Sequence, residues 1–158
     1  MRNNKPTIIN KEMKEPCGHA EYIDLGLSVK WATCNVGANR AEEYGDYYTY
    51  DEAMTLGLRL PSLDEMRELI DKCDWKWTTM NGVKGCKVTG SNGNSIFLPA
   101  AGSRIDESLY SAGSYGYYWS ATPSSYSHNA YYLYFYSGNY YWYSSNRYHG
   151  FAVRPVSD

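Results

Sequence analysis

Between Ala130 and Ser145 the chain alternates with a period of two, and this constrains the fold more than any other stretch. Tyr131, Leu133 and Phe135 fall on one face of an extended segment, and Tyr132, Tyr134 and Tyr136 fall on the other. Ser137-Gly138-Asn139 reads as the turn. In the return strand Trp142 takes one face, and Tyr141 and Tyr143 take the opposite one. The pattern predicts a hairpin whose Leu133, Phe135 and Trp142 are buried, with Tyr132, Tyr134 and Tyr136 sharing an exposed face. Period-two register leaves no other solution, because a one-residue slip would move the whole apolar set into water.

The hairpin sits in an unusual tract. Thirteen of the 18 tyrosines lie between residues 110 and 149, interleaved with Ser, Asn, His and Gly. Arg147 is the only formal charge from Leu109 to Gly150. Tyrosine offers a large amphipathic contact area with few rotors to freeze, and Ser, Gly and Asn supply adaptable hydrogen bonds; antibody-like paratopes use this composition. Low-complexity, prion-like sequence has a similar composition. The strict alternation and the interposed Trp, Leu and Phe argue against that reading.

The 158 residues suit one domain of ordinary size. Residues 1–18 are polar, aperiodic and carry Pro6 and Pro16, so they read as a flexible lead-in or linker to a domain over 19–158. A net charge of −2 argues against nucleic-acid binding, which usually needs a basic stripe. No apolar run approaches the ~20 residues of a membrane span, and the N-terminus lacks a signal-peptide core, so no membrane insertion is expected. Cys17, Cys34, Cys73 and Cys86 fit no zinc spacing and are read as reduced, mostly buried thiols, although two disulfides in any of three pairings remain open.

Two helices are expected. Asp51–Leu56 is a short one ended by Gly57. Residues 63–73 form the clearer one: Ser62 and Glu65 make a capping-box pattern, and Leu63, Met66, Leu69, Ile70 and Cys73 make one apolar stripe. Residues 22–37 read as short strands broken by glycine. Lys84–Thr89 and Ser95–Leu98 flank Asn92-Gly93 as a hairpin. Residues 99–104 read as loop, and 151–156 as a last strand that Pro155 confines to an edge or end.

Five segments, YIDLGLSVKWATCNVGA, LRLPSLDEMRELI, NGNSIFLPAAGSR, YWSAT and GFAVRPV, resemble bacterial and phage proteins of C-type-lectin-like fold, over about residues 20–156. These are kin of the formylglycine-generating enzyme and of the Fibrobacter-type paralogous domain. The C-terminal part is similar to variable proteins of diversity-generating retroelements, the class that includes the phage major tropism determinant. The resemblance implies an α+β fold of small twisted antiparallel sheets with two short helices. It also implies a variable region over about 115–149, in which template adenines, mostly in Asn codons, are miscopied. Tyr117, Ser124, Ser125, Tyr126, Ser127, His128, Tyr132, Tyr134, Tyr136, Tyr141, Tyr143, Ser144, Ser145, Asn146, Tyr148 and His149 are the candidate ligand-binding positions. Each is Asn or one base change from an Asn codon. Trp119, Leu133, Phe135, Gly138, Trp142, Phe151 and Val153 look like constant scaffold.

The implied partner is a protein or glycan on a cell surface, and the implied setting is a phage virion or a bacterial surface. The alternative is an invariant carbohydrate-binding module. Catalysis is not expected. The oxidase relatives use a cysteine pair in their C-terminal part, and here every cysteine precedes residue 87. His19, His128 and His149 share no catalytic spacing. Asp106 and Glu107 are read as solvated loop charge rather than as a Ca²⁺ site. No cofactor is expected.

Overall fold

A computed structural model describes residues 21–158. The expected lead-in over 1–18, Cys17 and His19 lie outside the described residues. Eleven strands and two helices follow in the order β1 (Tyr22–Ile23), β2 (Lys30–Ala32), α1 (Tyr50–Met54), α2 (Leu63–Lys72), β3 (Asp74–Met80), β4 (Val83–Thr89), β5 (Ser95–Pro99), β6 (Ser103–Ile105), β7 (Ser108–Tyr110), β8 (Gly116–Pro123), β9 (Asn129–Tyr136), β10 (Asn139–Asn146) and β11 (Val156–Ser157). All the paired strands run antiparallel. They form small sheets ordered β1-β2-β11, β3-β4-β5, β6-β7 and β10-β9-β8. The fold is therefore α+β, built from small antiparallel sheets and two short helices.

Both helices begin with a reciprocal capping box. In α2 the Ser62 hydroxyl accepts from the Glu65 amide at 3.1 Å and the Glu65 carboxylate accepts from the Ser62 amide at 2.9 Å, as the sequence spacing predicts. In α1 Thr49 and Glu52 do the same, a cap the sequence reading passed over. Arg59 adds a two-pronged bond to Glu65, at 2.9 and 2.7 Å. It holds that carboxyl below its ordinary range. Met66 and Leu69 of α2 are buried in a core they share with Leu98, Tyr118, Leu133 and Phe135.

Two turns differ from expectation. The loop at Asn92-Gly93 joins β4 to β5, but it is held by the Asn92 and Asn94 side-chain amides, each donating to the Asp24 carbonyl at 2.9 Å. The tight Asn-Gly turn lies earlier, at Asn81-Gly82, where both residues take positive φ (48° and 84°). That is the type I′ requirement, and it makes Asp74–Met80 a strand the sequence reading had not delimited. Residues 103–110 form the β6–β7 hairpin instead of continuing the expected loop. The C-terminal segment is not one strand. Phe151 and Ala152 make isolated bridges to Tyr48 and Tyr118, and only Val156–Ser157, beyond Pro155, pairs with β2.

The closing segment is pinned by Arg154, which is buried among neutral acceptors. Its guanidinium donates to Asn35 Oδ1 at 2.8 Å, the Ala32 carbonyl at 3.1 Å and the Phe97 carbonyl at 2.7 Å. Burial pulls its pKa down to about 10. Asn35 also donates to the Tyr118 hydroxyl at 3.1 Å, which in turn donates to the Pro99 carbonyl at 2.8 Å. This network joins β2, β5, β8 and the C-terminal segment, so the sheet β10-β9-β8 is held against the rest of the core.

The cysteines depart from the all-reduced reading. Cys34 is disulfide-bonded, whereas Cys73 and Cys86 are free, and Cys86 is buried. Burial pushes the Cys86 thiol up to about 12, so it packs as an inert apolar group.

Candidate functional site

The site is the outer face of the sheet β10-β9-β8. Its register is set by the two-residue turn Ser137-Gly138. Tyr136 lies opposite Asn139, Tyr134 opposite Tyr141, and Tyr132 opposite Tyr143; on the other side Tyr117 lies opposite Tyr134. Alternation therefore puts Tyr117, Tyr132, Tyr134, Tyr136, Tyr141 and Tyr143 on one face. Leu133 and Phe135 face the other way and are fully buried, as predicted.

Tyr134 is the centre of this plate. Its ring lies 5.2 Å from Tyr117, 5.3 Å from Tyr141, 5.6 Å from Tyr115, 5.9 Å from Tyr136, 6.2 Å from Tyr143 and 6.3 Å from Tyr132, centroid to centroid. These separations lie in the favourable range for aromatic pairs. The rings brace one another. Crowding has an electrostatic result. Desolvation, followed by the neighbouring phenols, raises the Tyr134 pKa to about 12, and desolvation raises those of Tyr132 and Tyr117. For Tyr141 the main cause of a rise to about 12 is its hydrogen bond with Tyr136.

Tyr132 departs from the expected exposed row. Only 8% of it is accessible. Phe151 lies 4.9 Å from its ring, Tyr117 5.9 Å, and Trp119 6.3 Å edge-on. It belongs to a second core cluster with Tyr50, Trp119, Phe151 and Val153. With Tyr117 it lines a cleft of about 210 Å³. Ser145, His149 and Phe151 also line it, with Ser103, Ile105 and Tyr110 of the β6–β7 hairpin and Ser111 just after it. The His149 ring stacks on Phe151 at 5.7 Å and 3°, and burial lowers its pKa. Among the described residues, no formally charged side chain lines this cleft.

Trp142 is the second departure. It shares the Leu133 face, as predicted, but is 37% exposed rather than buried. The reason is position: β10 is the edge strand, so its side chains have sheet neighbours on one side only. Trp142 rests edge-on against Tyr131 at 5.6 Å and under the Arg67 guanidinium at 5.7 Å. The core role is taken instead by its neighbour Tyr140, which stacks on Trp75 at 4.7 Å.

The other candidates do not join the plate. Ser144 pairs with Tyr131 and so lies on the back face. Ser124, Ser125 and Tyr126 form the β8–β9 connection, where Tyr126 is 71% exposed. Ser127, His128, Asn146 and Tyr148 gather around a more polar cleft of about 390 Å³ with Thr49, Asp51 and Arg147. Arg147 is held there by the Asn129 carbonyl and by the face of Tyr50, 5.0 Å away. The candidates thus divide between an aromatic plate with its cleft and a polar cleft. Sequence reasoning missed Tyr115, although it lies in the expected variable region, because it precedes β8 and so carried no alternation. It also missed Ser103, Tyr110 and Ser111, which reach the cleft through a hairpin whose partner strands have three residues each. Among the described residues, no group of His, Cys, Asp and Glu is arranged to hold a metal ion.

A family model described as the Lcl C-terminal domain matches residues 22–157. No curated protein and no solved structure matches the chain.

Proposed function

The chain belongs to the family of Lcl C-terminal domains, and on the plate that this member carries we propose a ligand-binding protein with a diversified recognition face on a constant scaffold. The scaffold is of C-type-lectin-like kind, and the face is varied by a diversity-generating retroelement. The partner is a protein or glycan displayed on a cell surface. One observation carries this reading: Tyr134 sits within a ring of six tyrosines on the face opposite Leu133 and Phe135. A sheet built this way lets side chains change on one face while the other keeps the core.

The chemistry of the face favours binding over catalysis. The phenols of Tyr117, Tyr132 and Tyr134 are held in the neutral form by desolvation and then by neighbouring phenols, the opposite of what a nucleophile or general base needs. Neutral phenols donate and accept hydrogen bonds while their rings stack on sugars, peptide groups or aromatics. With no formally charged side chain on the plate or lining its cleft among the described residues, affinity comes from stacking and hydrogen bonds and depends weakly on salt.

The test is a library randomised among Tyr, Ser, Asn, His and Asp at the candidate positions. One half keeps Tyr132 and the other varies it. Members are scored for folding and for binding to panels of glycans and cell surfaces. Most of the Tyr132-preserving half should fold, with binding that differs from member to member. Widespread failure to fold in that half would make the tyrosines structural. Uniform binding to one glycan would identify an invariant lectin module instead.

A further inference from the structure

The strand edges of this molecule are protected unequally. The β3 edge carries Asp74 and exposed Lys76. The β5 edge is consumed by Arg154, which takes the Phe97 carbonyl, and by the Tyr118 hydroxyl on the Pro99 carbonyl. The β8 edge has a register shift between Trp119 and Pro123, and its backbone bonds to Ala152 and Pro61. The remaining edge strands have two or three residues. These are the usual devices against edge-to-edge pairing.

β10 has none of them within the strand itself, and the charge over it is Arg67 of α2, at the inner-face ring of Trp142. The strand is eight residues long, keeps unbroken register with β9, and contains no charge and no proline. The two-residue turn makes Tyr136 and Asn139 a hydrogen-bonded pair, so Tyr141, Tyr143 and Ser145 point their backbone groups at β9. Tyr140, Trp142 and Ser144 point theirs outward. The Tyr140 amide is taken by Asn139 Oδ1 at 2.8 Å. Among the described residues, the amides and carbonyls of Trp142 and Ser144 have no partner on the outer side.

We infer that β10 pairs antiparallel with β10 of a second copy of this chain. An antiparallel edge is self-complementary about a two-fold axis, so each copy supplies the donors its partner needs. The strand carries no charge to repel its own image. The axis lies perpendicular to the sheet, so both tyrosine plates end on the same side of one six-stranded sheet. The dimer would present two recognition faces at once, and bivalency would raise avidity without a new ligand contact.

The test is sedimentation velocity across a wide concentration range, with amide exchange by NMR. The expected result is a concentration-dependent species of twice the 18.0 kDa chain mass. The Trp142 and Ser144 amides should exchange slowly in it and quickly on dilution, while those of Tyr141 and Tyr143 stay slow throughout. Ser144→Pro removes only an outward donor and should yield folded monomer; Trp142→Lys, which places a charge on the edge, should do the same. A chain that remains monomeric with fast Trp142 and Ser144 exchange at every concentration would overturn the inference. So would a dimer that survives both substitutions.

Discussion

The two faces of the sheet β10-β9-β8 have the same backbone and opposite tolerances. On the inner face Leu133 and Phe135 are fully buried among Met66, Leu69, Leu98 and Tyr118. On the outer face Tyr134, Tyr136, Tyr141 and Tyr143 touch mainly one another, and Tyr143 is 53% exposed. The inner face is determined by shape, because close-packed interiors feel the loss of a single methylene. The outer face is determined by surface chemistry, and a change there alters what the molecule touches before it alters how it folds. Tyr132 is the exception that marks the boundary, since it starts on the outer face and ends in a core cluster.

The sharpest way to break the comparison is truncation on each side. Phe135→Ala should destabilise by about 3–5 kcal/mol, read as a lower urea midpoint. Gly116 packs directly on that ring, so Gly116→Ala should also be costly even though it adds only one methyl group. Tyr132→Ser should fall below Phe135→Ala but well above its neighbours, at roughly 2–3 kcal/mol. Tyr143→Ser should stay within about 0.5 kcal/mol. Equal losses for Tyr132 and Tyr143 would erase that boundary.

Replacing Tyr141 and Tyr143 together sharpens the comparison in the other direction. Folding should be almost unchanged, whereas affinity for a ligand selected on the parent face should drop by about 2 kcal/mol or more, as for central aromatic anchors. Titration calorimetry measures that loss, and the urea midpoint of the same protein shows whether the fold was spared.

Much of the sheet could be read from residues alone because its signal is local. Alternation assigned Leu133, Phe135 and Tyr134 to their faces, and a capping box placed the start of α2. What escaped depends on tertiary position. Nothing in the alternation of Trp142 says that β10 is an edge strand, and that fact alone leaves its ring exposed. Nor does the row Tyr132, Tyr134, Tyr136 reveal that Phe151, sixteen residues beyond Phe135, folds back over the first of the three. Ser103, Ile105 and Tyr110 reach the cleft from three-residue strands too short to show a period. Arg154 carries a formal charge and is nevertheless buried, because its partners are side-chain and backbone carbonyls that sequence cannot position.

The smallest expected effects come from protonation, and they separate the faces by pH. The phenol of Tyr134 has its pKa raised to about 12 in the fold, against about 10 in an unfolded chain. Between those values the unfolded chain has lost the proton and the folded one retains it. Stability from this group is therefore complete below pH 10 and is lost as pH rises through 12. His149 runs the other way, because burial against Phe151 lowers its pKa below the ordinary 6.5. Its contribution is complete above 6.5 and is lost as pH falls through the folded value. Substituting His149→Phe keeps a ring on Phe151 and removes the titration. Its thermal midpoint should track the parent above pH 7 and exceed it slightly below pH 6. In the same pH series Tyr134→Phe should match the parent in acid and pull ahead only above pH 10. Phenolate absorbance gives an independent reading, since the Tyr134 phenol should ionise later than an ordinary tyrosine. If His149→Phe tracks the parent at every pH, the imidazole is solvated. The cleft wall then ends at Phe151, and the outer face has no buried margin on that side.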